Sequence, residues 1–179
     1  INAVAEKNKN VVVVLSGGSA VAMPWLNNVK GVLNGLLLGQ AGGGATFDVL
    51  TGKVNPSGKL SETYPLSLAD TPSRNNFPGT LISVEYRESI FIGYRYYDKT
   101  EKDVLFPFGF GLSYTKFDLQ TLSFERTESC EGNKTCVKIK VTNTGNCAGK
   151  ETVQIYVDFE AKNGSAKIAK ANIRQSNEE

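Results

Sequence analysis

The chain has 179 residues, 40% of them hydrophobic, which is enough for one domain or one and a fraction. Its 20 basic and 18 acidic residues are spread without a basic stripe, so no nucleic-acid partner is expected, and the absence of histidine excludes Ser-His-Asp and Cys-His catalysis and any histidine-bearing metal site within this sequence. The longest apolar runs, at 11–15 and 36–38, fall far short of the ~20 residues that span a bilayer, so no membrane span is expected; the chain opens on Ile1 rather than Met, which leaves a leader segment unjudged.

In chain order, Ile1, Val4 and Ala5 stand at helical spacing before a polar KNKN and read as the end of a helix. VVVVL (11–15) is a continuous β-branched run of the kind buried on both faces of a parallel sheet. Pro24 suits a first helical position, with Trp25, Leu26 and Val29 on one face. VLNGLLLG (32–39) reads as a second buried strand. A glycine turn, a short helix carrying Phe47, Val49 and Leu50, and a stop at Gly52 follow. KLSETYP (59–65) reads as a third, shorter strand. This alternation predicts an α/β layer with parallel strands. Residues 70–79, with Pro72 and Pro78, read as a loop.

The run VEYRESIFIGYRYYDKTEKDVLFPFGFGLSYT (84–115) is too irregular for an amphipathic helix and too aromatic for a solvated loop. It reads as a wrapped strand or arm packing its rings against a neighbour. Beyond Thr115 the period changes to two. FDLQTLSF, CVKIKVTNTG and ETVQIYVDF alternate, with Val137, Ile139 and Val141 opposed to Lys138 and Lys140, and with Val153, Ile155 and Val157 repeating the pattern. This predicts antiparallel strands with one wet face, turning at 143–146. About seven strands make a fibronectin type III-like sandwich, so the roughly three read here predict a truncated one. Residues 158–179 carry no strand pattern and read as a polar tail, helical or disordered.

Cys130 and Cys136 flank EGNKT and suit a bridge across a hairpin, or stand as free thiols; both readings are open. With Cys147 they make a poor zinc set. Asn133 and Asn163 open glycosylation sequons, and together with the cysteines lean towards an extracellular setting.

Candidate chemistry is sparse. Gly39, Gly42, Gly43 and Gly44 precede a helix, where a phosphate could rest on backbone N–H groups. They lack the GxGxxG spacing and the Gly-Lys-Ser/Thr ending, so tight-turn and packing roles are expected, and no cofactor. Ser16, Ser19 and Ser61 have no base in sight and read as caps or turn residues. Glycoside hydrolysis needs two carboxylates, roughly 5–5.5 Å apart in retaining enzymes. The candidates are Glu62, Glu85, Glu88, Asp98 and Asp103; Glu88 is expected to ion-pair with Arg87 and Arg95. Tyr86, Tyr94, Tyr96 and Tyr97 could stack on a sugar, with packing the commoner use of such rings.

Taken together, VVVVLSGGSAVAMPW, GVLNGLLLGQAGGGATFDVLTGKVNPSGKL, VEYRESIFIGYRYYD and FPFGFGLSYTKF, in this order, closely resemble the C-terminal region of glycoside hydrolase family 3, the β-glucosidase and β-xylosidase family. The resemblance runs over about 1–157, where VTNTGNCAGKETVQIYV looks like the opening of the type III-like domain of many members. Ala20, Ala22 and Phe47 depart from the family pattern. The resemblance implies an α/β domain at 1–115, first strands of a type III-like domain at 116–157, and a tail at 158–179. It implies a retaining β-glycosidase, most simply a β-glucosidase, working by double displacement without metal or cofactor. In that family the nucleophile is an aspartate on a barrel domain, and the acid/base glutamate lies in an S-x-E-G-x-D-R motif. Neither is present in this sequence, so no catalytic, cofactor-binding or metal residue is carried over, Glu88 included. The expected partners are a β-glucoside substrate and the barrel. The segment is then a wall and scaffold, where about 1 Å of misplacement costs roughly 10²-fold in rate. Two rivals are a non-catalytic carbohydrate-binding or structural module and a flavodoxin-like nucleotide binder.

Overall fold

A computed structural model describes residues 1–126, 135–162 and 165–173, with side chains described for 1–123 and 136–156. The chain divides into two compact units: Ile1–Thr51 with Leu60–Phe110, and Gly52–Lys59 with the chain from Gly111 onward.

In the first unit, helix α1 (Asn2–Lys7) leads into β1 (Val12–Leu15), which pairs in parallel with β2 (Gly31–Asn34). The helical turn expected at Pro24 is a single 3-10 turn, Leu26–Asn28. The expectation that β1 is buried on both faces is corrected: Val12 is 52% exposed, while Val13 and Leu15 are half-buried. β-Branching favours the strand whichever face is covered, and this sheet has two strands among the described residues. β2 ends at Asn34 rather than at 39, because Leu36 takes a left-handed φ of 51°. Helix α2 (Gly42–Leu50) forms as expected, and Gly52 after it has a φ of 74°, which glycine tolerates at no steric cost.

The third expected strand shrinks to β3 (Tyr64–Pro65). It pairs antiparallel with β4 (Val104–Phe106) and does not extend the parallel pair. Pro65 has no N–H to give a continuing ladder, and Tyr64 faces Phe106 across the strands, with ring centroids 6.3 Å apart. The stretch at 84–115 is not an extended arm throughout. It contains a helix, α3 (Tyr94–Thr100), which opens at Gly93 and turns Tyr97 into the core. Its rings pack among themselves: Phe106 stacks on Phe110 at 4.8 Å, and Tyr94 lies 5.1 Å from Phe108. Among the described residues Ala5, Met23, Tyr64 and Tyr97 are the buried hydrophobic ones, Tyr64 most completely at 1% exposure.

In the second unit, β5 (Phe117–Arg126) and β6 (Thr135–Asn143) form an antiparallel pair with a bulge at Leu122. Lys138 and Lys140 are exposed and Val137 and Ile139 partly covered, as the alternation predicts; Val141 departs from it at 45% exposure. β7 (Ile155–Lys162) pairs antiparallel with β8 (Ser165–Ile173), so the segment read as a helical or disordered tail contains strand. Cys130 and Asn133 of the first sequon fall outside the described residues, as does Asn163 of the second.

Candidate functional site

In α/β sheets, ligands gather at the carboxyl ends of parallel strands. Here that edge is built by the loops after β1 and β2. Gly35 N–H donates to Leu15 O at 2.9 Å and continues the ladder by one bond. Asn34 then organises the loop. Its Oδ1 accepts from Leu36 N–H at 3.3 Å and its Nδ2 donates to the Tyr64 hydroxyl at 2.8 Å. Ser16 Oγ donates to Leu36 O at 3.4 Å and ties the two loops together. Leu36 is thus held in a conformation that costs a non-glycine residue ~1–3 kcal/mol, and its neighbour Leu37 is 80% exposed.

The chain itself packs against part of the glycine run. A Cβ at Gly35 would lie 2.7 Å from Leu38 Cδ2, and one at Gly42 would overlap Leu38 Cβ. Leu38 lies against both, so these two glycines serve close packing of loop on helix, while Gly39, Gly43 and Gly44 have nothing within 4 Å of a Cβ. Ser16 acts as a loop tie.

The expected carboxylates are spread over the stretch from just before β3 to β4. Glu62 precedes β3, Glu85 and Glu88 sit in the irregular stretch before α3, Asp98 is on α3, and Asp103 follows it. Glu85, Asp98 and Asp103 are exposed. The ion pair expected for Glu88 is corrected: the partner of Arg87 is Glu85, and the guanidinium of Arg95 lies over the Tyr94 ring at 5.8 Å. Of the four tyrosines, Tyr94, Tyr96 and Tyr97 are engaged in ring contacts, with Tyr96 and Tyr97 edge to face at 5.2 Å. Tyr86 is 87% exposed.

Burial pushes the Tyr64 phenol above its ordinary value; the Asn34 bond opposes this and the Glu62 charge adds to it. Tyr97 is raised too, by burial first and then by Tyr96 and Asp70. A raised folded-state pKa means the folded chain keeps protons that the unfolded chain has lost. The stabilisation is therefore complete below the unfolded tyrosine value of 10.0 and is lost as pH rises through the folded values. Phenolate absorbance should accordingly show two of the seven tyrosines titrating late, in step with alkaline unfolding, and Tyr64→Phe should remove one of them.

A polar cleft of about 600 Å³ lies between α1 and residues 27–30, lined by Asn2, Glu6, Lys9, Asn28 and Lys30 among others. It has no aromatic lining residue to stack on a sugar. Asn28 Nδ2 donates to Asn2 Oδ1 at 3.1 Å, and Lys9 Nζ to Ala5 O at 3.2 Å.

The organising residues missed in the sequence are Asn34 and Tyr64, partners 30 positions apart. The available signal was an asparagine at a strand end before a glycine, together with a tyrosine hydroxyl that needs a partner when buried.

The family model described as "Glycosyl hydrolase family 3 C-terminal domain" matches residues 1–114. A thermostable beta-glucosidase B of Acetivibrio thermocellus is 54% identical over 157 residues, 88% of this chain and 21% of that protein. An exo-alpha-(1->6)-L-arabinopyranosidase of Bifidobacterium breve is 48% identical over 155 residues, 86% of this chain and 20% of that one. The crystal structure of the GH3 beta-glucosidase of Bifidobacterium adolescentis matches with a TM-score of 0.83 at 47% identity, over 97% of this chain and 25% of that one. The chain spans about a fifth of the length of the curated relatives it matches. Its strands, its glycine-bound loop and the model match over residues 1–114 agree, and the chain belongs to glycosyl hydrolase family 3 through that family's C-terminal domain.

Proposed function

We propose that this chain is the scaffold portion of a retaining β-glycosidase of β-glucosidase type and contributes no reacting group of its own. The observation that carries this is its 54% identity to one fifth of a beta-glucosidase. The exposure of Glu85, Asp98 and Asp103 supports it. The reaction would be a double displacement. One carboxylate attacks the anomeric carbon while a second carboxyl group protonates the departing oxygen; water then releases the sugar. Both carboxyl groups would come from protein outside this chain, the nucleophile from a barrel. The strands from Phe117 onward would be the start of a fibronectin type III-like sandwich.

The exposed apolar residues between 77 and 92 fit a surface covered by that larger body. Leu81 and Ile82 are fully exposed, and Phe77, Tyr86, Ile90 and Ile92 largely so. Exposed large apolar residues gathered in one stretch suit an interaction face. A relative of comparable identity is named an exo-alpha-(1->6)-L-arabinopyranosidase, which fits a choice of sugar made largely in protein outside this segment.

The test is hydrolysis of an aryl β-glucoside by the purified chain. Release of the phenol should stay at the no-protein rate. Turnover proportional to protein, and lost on replacing Glu62, Glu85, Glu88, Asp98 or Asp103 by its amide, would place a reacting acid in this chain. A nucleotide titration followed through the single tryptophan, Trp25, should give no change.

A further inference from the structure

The chain leaves the first unit at Thr51, spends Gly52–Lys59 in the second, returns at Leu60, and leaves again at Gly111. We infer that Asn55 and the Lys59–Glu151 ion pair form a latch that makes Gly52–Lys59 an integral arm of the β unit. A division of the chain near residue 114, where the family model ends, then cuts through one packed body.

Asn55 satisfies both ends of its amide on two different loops. Its Oδ1 accepts from Ser113 Oγ at 2.9 Å and from Tyr114 N–H at 2.8 Å, and its Nδ2 donates to Ala148 O at 2.9 Å. Lys59 Nζ donates to Gly111 O at 2.6 Å and lies 3.0 Å from Glu151 Oε1. The Lys59 and Glu151 side chains are only 7% and 8% exposed. Water does not screen a pair so covered, and removing one partner leaves the other charge buried. The glycines confirm how closely the pieces approach. A Cβ at Gly111 would overlap Gly58 O, and one at Gly149 would lie 2.7 Å from Asn55 Nδ2.

The loop that Asn55 grips is itself built. Asn143 Nδ2 donates to Cys147 O at 2.8 Å, Thr115 Oγ1 donates to Asn143 Oδ1 at 2.7 Å, and Thr144 N–H donates to Lys116 O at 2.8 Å. Residues 111–117 and 143–151 thus form one layer held to 55–59. This latch stands on geometry alone and does not depend on the glycosidase reading.

Hydrogen exchange on the full 179-residue chain tests it. Asn55→Ala and Lys59→Met should each raise exchange at 111–117 and 143–151 by at least about tenfold, leaving β1 and β2 within about twofold of the parent chain. Glu151→Gln keeps the shape and removes the charge, and should give the same pattern more weakly. Lys59→Met combined with Glu151→Leu replaces the pair with apolar groups and should restore protection to within about threefold. Unchanged exchange at both loops in Glu151→Gln and Asn55→Ala overturns the latch. So does an equal rise in β1 and β2, because 52–59 would then belong to the first unit's core.

Discussion

Replacing Tyr64 by alanine should destabilise the chain by about 3–5 kcal/mol, the range for deleting a fully buried large aromatic side chain. Tyr64 is the most deeply buried large residue among those described and has two roles. Its ring packs edge to face on Phe106, which stacks in turn on Phe110. Its hydroxyl accepts from Asn34 at the end of β2 and so joins the parallel pair to the β3–β4 pair. Tyr64→Phe separates the two roles. It keeps the ring and should cost about 1 kcal/mol, the value of one hydrogen bond plus an amide left partly unpaired. Urea denaturation of both variants checks the ordering. If alanine costs no more than phenylalanine, the ring cluster is not the core of the first unit.

Gly42→Ala gives the next largest effect, and its sign is informative. Alanine is the better helix former by about 1 kcal/mol, so an open site would be stabilised. At Gly42 the new methyl would meet Leu38 Cβ, which cannot swing away as a side-chain tip could. Overpacking of this kind costs about 1–3 kcal/mol, so a net loss is expected. Gly43→Ala is the control, because nothing lies within 4 Å of a Cβ there and the helix should gain. Thermal melts of the two variants moving in opposite directions would confirm that the run is shaped by contact with Leu38. A gain at both positions would remove that argument against a ligand-binding glycine loop.

Much of this architecture was legible where one local rule spoke alone. Helix α2 follows from its apolar spacing and the Gly52 stop, and β6 from strict alternation around Lys138 and Lys140. Helix α3 was hidden because rings on every side blur the period; the Tyr94–Tyr97 spacing was the usable clue. β8 was hidden because its alanines suggest helix. In the candidate site, the turn role of the glycines could be read, but the Asn34–Tyr64 bond could not. A hydrogen bond between residues 30 apart leaves no periodic trace in a sequence. The Lys59–Glu151 pair, 92 apart, is hidden for the same reason.

The route of the chain at Gly52–Lys59 also limits how such proteins can be recombined. A crossover placed between α3 and β5 would hand the new β module a foreign Asn55–Lys59 ribbon, so chimeras of family members should tolerate that junction only when both parents supply matching residues at 55, 59 and 151. Inheritance of the trailing module is therefore a two-piece transaction, with one piece embedded upstream of the breakpoint.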